Sequence, residues 1–341
     1  GVYRGQVRTI GRLIVIWLVA TWAIVVATFR RLLLGPRMPT WTWRTEWAVA
    51  SVKAVLETAS GFADDPTIFR LGLRMQAPVP LDLRRSVTVR RVKLDGISAD
   101  RYVPHGELLP RTTLLYFHGG GYTFGNPGTH RQFIARIVAA TGASAVAPRY
   151  RLAPYFRYPA AVDDAQQVYE YLLEAGIDPA TIVLGGDSAG GGLAMALLVR
   201  IRSEGLPMPG GAMLFSPYLD LEHTGYTIET NASTDYLPVA GMRRPSDWYA
   251  EPDELRNPEV SPLYASLEGL PPLLVFVGGA EMLLADSLRL FDRVRAEGAD
   301  AELVVEPDMM HVWPAIADWE PASERAFAKA AEWIHALEAQ R

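Results

Sequence analysis

Hydrophobic and polar positions alternate in three different ways along this chain. From Leu13 to Phe29 (LIVIWLVATWAIVVATF) no residue is charged and only Thr21 and Thr28 interrupt the apolar character. A helix over this run would be roughly 26 Å long, just short of a hydrocarbon core of about 30 Å, and flanking arginines can reach outward to make up the difference. A helix lying flat on a membrane would need a polar face. The pattern therefore predicts a spanning helix. From Glu46 to Ser60 the spacing becomes that of an amphipathic helix, which stops at Gly61, and Ala63–Leu81 is broken by Pro66, Pro78 and Pro80. A small helical cap is expected there.

Beyond residue 85 the rhythm changes again. Ser86–Leu94 and Ser98–Val103 are β-rich and flank Asp95-Gly96, a dipeptide suited to a tight hairpin. Short apolar runs follow at Thr112–Phe117, Ala143–Ala147, Thr181–Leu184, Gly211–Phe215, Leu273–Val277 and Ala301–Val305, as expected of strands buried on both faces. Helical stretches separate most of them: Thr129–Ala140, Ala160–Glu174, Ala189–Glu204 and Leu283–Glu297, with Ala322–Ala339 closing the chain. This alternation predicts an α/β fold with a mainly parallel, doubly wound sheet. Ser216–Tyr264 breaks the rhythm with scattered Pro and Gly, which reads as a second contribution to the cap. The expected division is an N-terminal hydrophobic helix (1–38), an N-terminal cap segment (39–84), and a main domain (85–341) with a cap excursion (216–264).

The length of 341 residues suits roughly two domains, or one large α/β domain with an elaboration. The absence of Cys excludes disulfides, thiolate nucleophiles and Cys-ligated metal sites. A net charge of -5 gives no support to nucleic-acid binding. That average conceals a split, because Gly1–Thr45 holds Arg4, Arg8, Arg12, Arg30, Arg31, Arg37 and Arg44 and no acid. The arginines on the two sides of the apolar run nearly balance, so membrane orientation stays open. Val25-Val26-Ala27 also resembles a signal-peptide cleavage site, although Arg30-Arg31 soon after argues against removal. Trp41, Trp43 and Trp47 suit an interfacial aromatic belt or, equally, the core of a cap.

Candidate chemistry begins at Gly186-Asp187-Ser188-Ala189-Gly190, which directly follows an apolar strand and precedes a helix. A serine in such a strand-to-helix turn is held in a strained conformation that presents its hydroxyl above the sheet, with the flanking glycines relieving crowding. Gly185–Gly190 fits neither the dinucleotide nor the P-loop phosphate pattern. His118-Gly119-Gly120-Gly121 leaves the strand ending at Phe117. Its backbone is suited to hold a developing oxyanion through Gly119 and Gly120 N–H, with Ala189 N–H as a third donor. His118 itself is expected to organise the loop.

HGGG at 118–121, YRLAP at 150–154, YPAAVDDA at 158–165, GDSAGG at 186–191 and SPLYA at 261–265 together resemble the hormone-sensitive-lipase family of α/β-hydrolases, the bacterial family IV esterases. The resemblance runs from about residue 85 to the end and departs from the family pattern at Tyr155, usually Glu, and at Gly192, often Asn. It implies the α/β-hydrolase fold and hydrolysis of short- to medium-chain carboxylic esters through an acyl-enzyme, without a cofactor. His311 follows the last strand and a loop, as the acid-then-histidine order of this fold requires, and is the expected base. His105, His130, His223 and His335 fall in loop, capping, cap and surface-helix contexts. In the family alignment Glu281 occupies the position of the catalytic acid. Asp286 is the alternative, with N-capping of a Ser287–Glu297 helix as its other reading. Asp187 is expected to be structural.

Tyr122, Phe124, Trp248 and Trp313 are candidate walls of an apolar acyl pocket. No HExxH or clustered His/Asp pattern suggests a metal. The expected activity is that of a serine esterase or lipase. The alternatives are an amidase, deacetylase or arylformamidase of the same fold, or a ligand-binding member that has lost catalysis, as the gibberellin receptors illustrate. The expected partners are a small-molecule or lipid ester and a membrane reached through the N-terminal helix, with a homo-oligomer left open. The localisation alternatives are soluble cytoplasmic and secreted.

Overall fold

A computed structural model describes residues 2–61, 75–106 and 110–341. The part of the expected N-terminal cap segment between residues 62 and 74 lies outside the described residues.

Helix α1 (Val2–Leu34) extends the predicted apolar helix in both directions. Between Ile10 and Leu34 little of its apolar surface is covered, and Trp17 and Trp22 are each 66% exposed. Helix α2 (Trp43–Ser60) packs back against it. Thr42 caps α2 by accepting the Thr45 N–H, and Gly61 ends it. Trp41 belongs to the core, whereas Trp47 donates its indole N–H to the Thr28 hydroxyl where the two helices meet.

Strands β1 (Val87–Leu94) and β2 (Ile97–Pro104) form the predicted hairpin. Asp95 and Gly96 both take positive φ, 40° and 87°, as a two-residue turn matched to strand twist requires. The sheet continues through β3 (Thr113–Phe117), β4 (Ser144–Pro148), β5 (Ile182–Asp187), β6 (Gly211–Phe215), β7 (Leu273–Gly278) and β8 (Ala301–Glu306). The eight strands lie in the order β1-β2-β4-β3-β5-β6-β7-β8. β1 and β2 are antiparallel additions at one edge, and all pairs from β4 to β8 are parallel.

The crossover segments place α3 (Arg131–Thr141), α4 (Ala160–Glu174) and α5 (Ala189–Ser203) after β3, β4 and β5. The connection from β6 to β7 carries α6 (Thr227–Thr230) and α7 (Val239–Tyr249). After β7 come α8 (Leu284–Ala296), then β8, α9 (Trp313–Ile316) and α10 (Pro321–Ala339). One apolar core lies between the sheet and α4, α5 and α8; the other lies between the sheet and α3 and α10. Carboxyl ends of parallel strands all open on one edge, and that edge gathers the residues described next.

Candidate active site

β5 is buried throughout and ends at Asp187; Ser188 then takes φ 52° and ψ -123° before α5 begins. Holding a non-glycine residue in such a region costs on the order of 1–3 kcal/mol, and the surroundings enforce it. The Ser188 N–H donates to Phe215 O (2.9 Å), and its carbonyl accepts from Tyr218 N (2.9 Å) and Gly192 N (3.0 Å). The glycines on either side are sterically required. A Cβ on Gly186 would stand 2.3 Å from the Gly190 carbonyl, and one on Gly190 would stand 2.0 Å from Phe117 O. The Ser188 side chain makes no capping bond to α5, so its hydroxyl is not committed to the helix.

The glycine loop after β3 differs in one respect from the sequence reading. Gly119 was expected to contribute to an oxyanion site, but its N–H donates to Asp187 Oδ2 at 3.1 Å. A spacing pattern places the peptide without fixing the direction of its N–H. Gly120 and Gly121, with φ of 120° and 60°, donate their N–H groups to no acceptor among the described residues. Ala189 stands at the first position of α5, where a backbone N–H has no intrahelical partner. Gly121 is thus a candidate donor that sequence reasoning missed. Helix α7 lies close above it, since a Cβ on Gly121 would stand 3.1 Å from Pro245 Cβ.

Asp187 anchors this loop from below by accepting the Tyr116 hydroxyl (2.8 Å), the Gly119 N–H and His130 Nε2 (3.2 Å). Burial works against its charge, but His130 beside it and the hydrogen bonds from His130 and Tyr116 hold its pKa below the usual value. His130 is therefore no surface or capping residue. It occupies the N-cap position of α3 without a side-chain capping bond, and its ring forms an ion pair with Asp187. His118 is fully enclosed, stacked on Tyr150 with centroids 4.3 Å apart, and its Nδ1 contacts Gly119 O at 2.8 Å. Burial first, then the neighbouring His130, lower its pKa to about 3, so the ring is neutral near pH 7.

His311 lies in the loop after β8, and its Nδ1 meets Glu281 Oε1 at 3.2 Å, with both side chains buried. The other Glu281 oxygen accepts the Ser216 hydroxyl (2.6 Å) and the Gly278 N–H (2.7 Å). Ser216 directly follows Phe215, the partner of the Ser188 N–H, and its oxygen also accepts Val312 N–H at 2.9 Å. Ser188, Glu281 and His311 thus belong to neighbouring strand ends linked through Phe215 and Ser216. Burial disfavours charge on His311, but the hydrogen bond and charge of Glu281, with Asp235 and Asp187, raise its pKa above the ordinary value. His311 Nε2 forms no hydrogen bond among the described residues, and none joins the ring to the Ser188 hydroxyl.

Asp286 does not pair with the imidazole. Its Oδ2 accepts Leu219 N–H (3.0 Å) and Asp220 N–H (3.1 Å), and its Oδ1 pairs with Arg289 (2.8 Å). Nor does it cap a helix, because α8 begins two residues earlier at Leu284. A different carboxylate, Asp235, is buried beside the Glu281–His311 pair, and no local motif marks it.

Of the candidate pocket walls, Tyr122 is buried and stacked on Tyr249 with centroids 3.9 Å apart. Phe124 is exposed, and Trp248 packs partly against the core. Trp313 is no pocket wall. It is wholly buried in the core shared with α10 and meets Phe276 edge-on. Among the described residues no group of three His, Asp or Glu is arranged to hold a metal.

A family model described as the alpha/beta hydrolase fold matches residues 114–315. An acetyl-hydrolase of Streptomyces hygroscopicus is 38% identical over 223 residues, covering 65% of this chain and 75% of that one. An esterase of Acinetobacter venetianus is 31% identical over 300 residues, covering 87% and 97%. Among solved structures, an esterase from the bacterial hormone-sensitive lipase (HSL) family matches with a TM-score of 0.75 and 36% identity over 85% of this chain and 98% of that one. The esterase EstE5 soaked with p-nitrophenyl butyrate matches with a TM-score of 0.73 and 34% identity over 86% and 99%.

Proposed function

The chain belongs to the hormone-sensitive-lipase-like esterases of the α/β-hydrolase fold, and from that premise we propose that Ser188 is its nucleophile, His311 its base and Glu281 its acid. The chain is a carboxylic ester hydrolase that works through an acyl-enzyme. In the proposed sequence Ser188 Oγ attacks the ester carbonyl carbon as its proton passes to His311 Nε2. The imidazolium so formed keeps its Nδ1–H on Glu281, which fixes the tautomer and offsets the new charge. Gly120, Gly121 and Ala189 N–H groups receive the oxyanion; losing one such donor typically raises the barrier by about 3 kcal/mol. Collapse expels the alcohol with the proton from Nε2, and water, deprotonated by the same nitrogen, then releases the acid and regenerates Ser188. The observation that carries this reading is the buried 3.2 Å contact between His311 Nδ1 and Glu281, which leaves Nε2 free to serve the hydroxyl.

Short acyl groups are the proposed substrates, in keeping with the acetyl-hydrolase relative and the butyrate-soaked structural relative. The Tyr122–Tyr249 stack beside the glycine loop supports a blunt acyl site. Among the described residues one apolar helix, near the N-terminus, is long enough to cross a membrane. As part of the same proposal, α1 is a retained anchor, and α2 with residues 216–264 forms a cap over the site. The test is a chain-length series of p-nitrophenyl esters, with matched anilides, on wild type and Ser188→Ala. We expect hydrolysis to peak at acetate to butyrate and to vanish in the variant together with fluorophosphonate labelling. Undiminished turnover by Ser188→Ala would overturn the residue assignment, and faster anilide cleavage the substrate class.

A further inference from the structure

The turn Asn231–Tyr236 lies in the connection between β6 and β7, yet its polar groups grip both loops that carry the proposed acid and base. Asn231 Nδ2 donates to Gly279 O (3.2 Å) and Glu281 O (2.9 Å), and the Thr234 hydroxyl donates to Ala280 O (2.8 Å). Asp235 joins the two loops directly. Its Oδ2 accepts the N–H of Met282 (2.8 Å), the residue after Glu281, while its Oδ1 accepts the N–H of His311 (3.3 Å) and of Tyr236 (2.8 Å). The carboxylate is fully buried and no Arg or Lys side chain pairs with it among the described residues. Lys53 of α2 reaches this turn but donates to the carbonyls of Ala232 (2.6 Å) and Asp235 (3.1 Å).

We propose that Asp235 is a positioning residue for ester hydrolysis that holds the Glu281 and His311 loops in fixed register and serves as a second counter-charge to the His311 imidazolium. Three backbone N–H groups converge on its two oxygens, a donor set matched to a carboxylate. An asparagine there would turn its NH2 against one of those donors. A buried carboxylate with no cationic partner of its own is electrostatically costly unless a positive charge appears nearby. His311 becomes positive on taking the serine proton, so the transition state relieves what the resting state bears. Burial, and then Glu281 against the attraction of His311, push Asp235 up to about 6, leaving it ionised at the mildly alkaline pH of an esterase assay. The groups facing this cluster are Glu281 from the acid loop, Asp187 from the end of β5, Lys53 from α2 and the neighbouring Tyr236. Asp235 is thus one of three carboxylates near the ring, and Glu281 is the one that touches it.

The inference rests on His311 being the base, and the experiment separates the two ideas. The acid limb of kcat/KM for p-nitrophenyl butyrate is compared among wild type, Asp235→Asn, Asp235→Glu, Asn231→Ala and His311→Ala. Removing the charge in Asp235→Asn should move the acid limb down by about one pH unit and lower kcat/KM by about 10- to 100-fold. Asp235→Glu retains the charge and should keep the limb near its original position while losing turnover. Asn231→Ala loosens the same turn and should lower turnover without moving the limb. An unmoved limb in Asp235→Asn, an equal shift in Asp235→Glu, or failure of both Asp235 variants to fold by near-ultraviolet circular dichroism would overturn the proposal. An active His311→Ala protein would instead overturn the assignment of the base.

Discussion

At the residue scale, two carboxylates five positions apart in sequence have different partners, Glu281 meeting His311 and Asp286 meeting Arg289. Glu281→Gln keeps the shape of the side chain but can no longer hold His311 in the right tautomer or offset its charge, so kcat should fall by about 10³- to 10⁴-fold. Asp286→Asn disturbs a buried pair with Arg289 and two backbone N–H groups, which should lower stability by about 1–3 kcal/mol while kcat falls much less. Steady-state kinetics with thermal melts on both variants checks the ranking, and the reverse ranking would make Asp286 the acid. His118 gives a second expectation. In the unfolded chain it binds a proton near pH 6.5, whereas in the native state burial and the neighbouring His130 delay protonation to about pH 3. The unfolded state therefore gains protons first, so this contribution to stability is intact above about 6.5 and is lost as pH falls toward 3. His118→Asn should flatten the fall in melting temperature over that window. The strand-to-helix turn at Ser188 and the loop after the last strand that carries His311 were legible because a local motif and chain order announce them. Gly119, His130 and Asp235 were misread or missed because the direction of an N–H and the partner of a distant side chain depend on contacts that no nearby residue encodes.

At the element scale, the strands were readable from apolar runs to within a residue at each end, apart from the end of β5. The run in β5 stops at Leu184, but the strand continues through Gly185, Gly186 and Asp187 because β3 and β6 pair with it on both sides. Backbone pairing carries that last stretch, which delivers Ser188 to the sheet edge. β8 was expected to be buried on both faces, yet it lies at the sheet edge with only part of each face covered. Gly190 tests how tightly the turn is built. A Cβ there would overlap Phe117 O, so Gly190→Ala must push α5 away from β3. Overpacking of this kind costs typically about 1–3 kcal/mol. The displaced helix start should also remove labelling of Ser188 by a fluorophosphonate; labelling at the wild-type rate would show that the close approach is not needed.

At the scale of the whole molecule, the apolar helix is fastened to the hydrolase body near the proposed histidine loop. Arg30 and Arg31 pair with buried Glu46, and Arg37 donates to Ser233 O, two residues from Asp235. Further on, Thr40 N–H and the Trp41 indole bind Asp308, three residues before His311, and Thr42 and Thr45 bind Glu320. Residues 39–61 are thus tied to the body by side-chain hydrogen bonds, while most of the exposed large apolar side chains among the described residues lie between Ile10 and Leu34. Removing 1–38 should abolish flotation with liposomes and yield a detergent-free protein that hydrolyses p-nitrophenyl butyrate at close to the full-length rate. Removing 1–61 also strips the contacts of Trp41 with Asp308 and of Lys53 with the Asp235 turn. That longer deletion should cost at least about tenfold in kcat, since misplacement of a catalytic group by 1 Å can cost 10²-fold. Equal activity of the two truncations would mean that the arm only tethers the enzyme. A graded loss would mean that the segment joining the apolar helix to the body also helps hold the proposed base against Ser188.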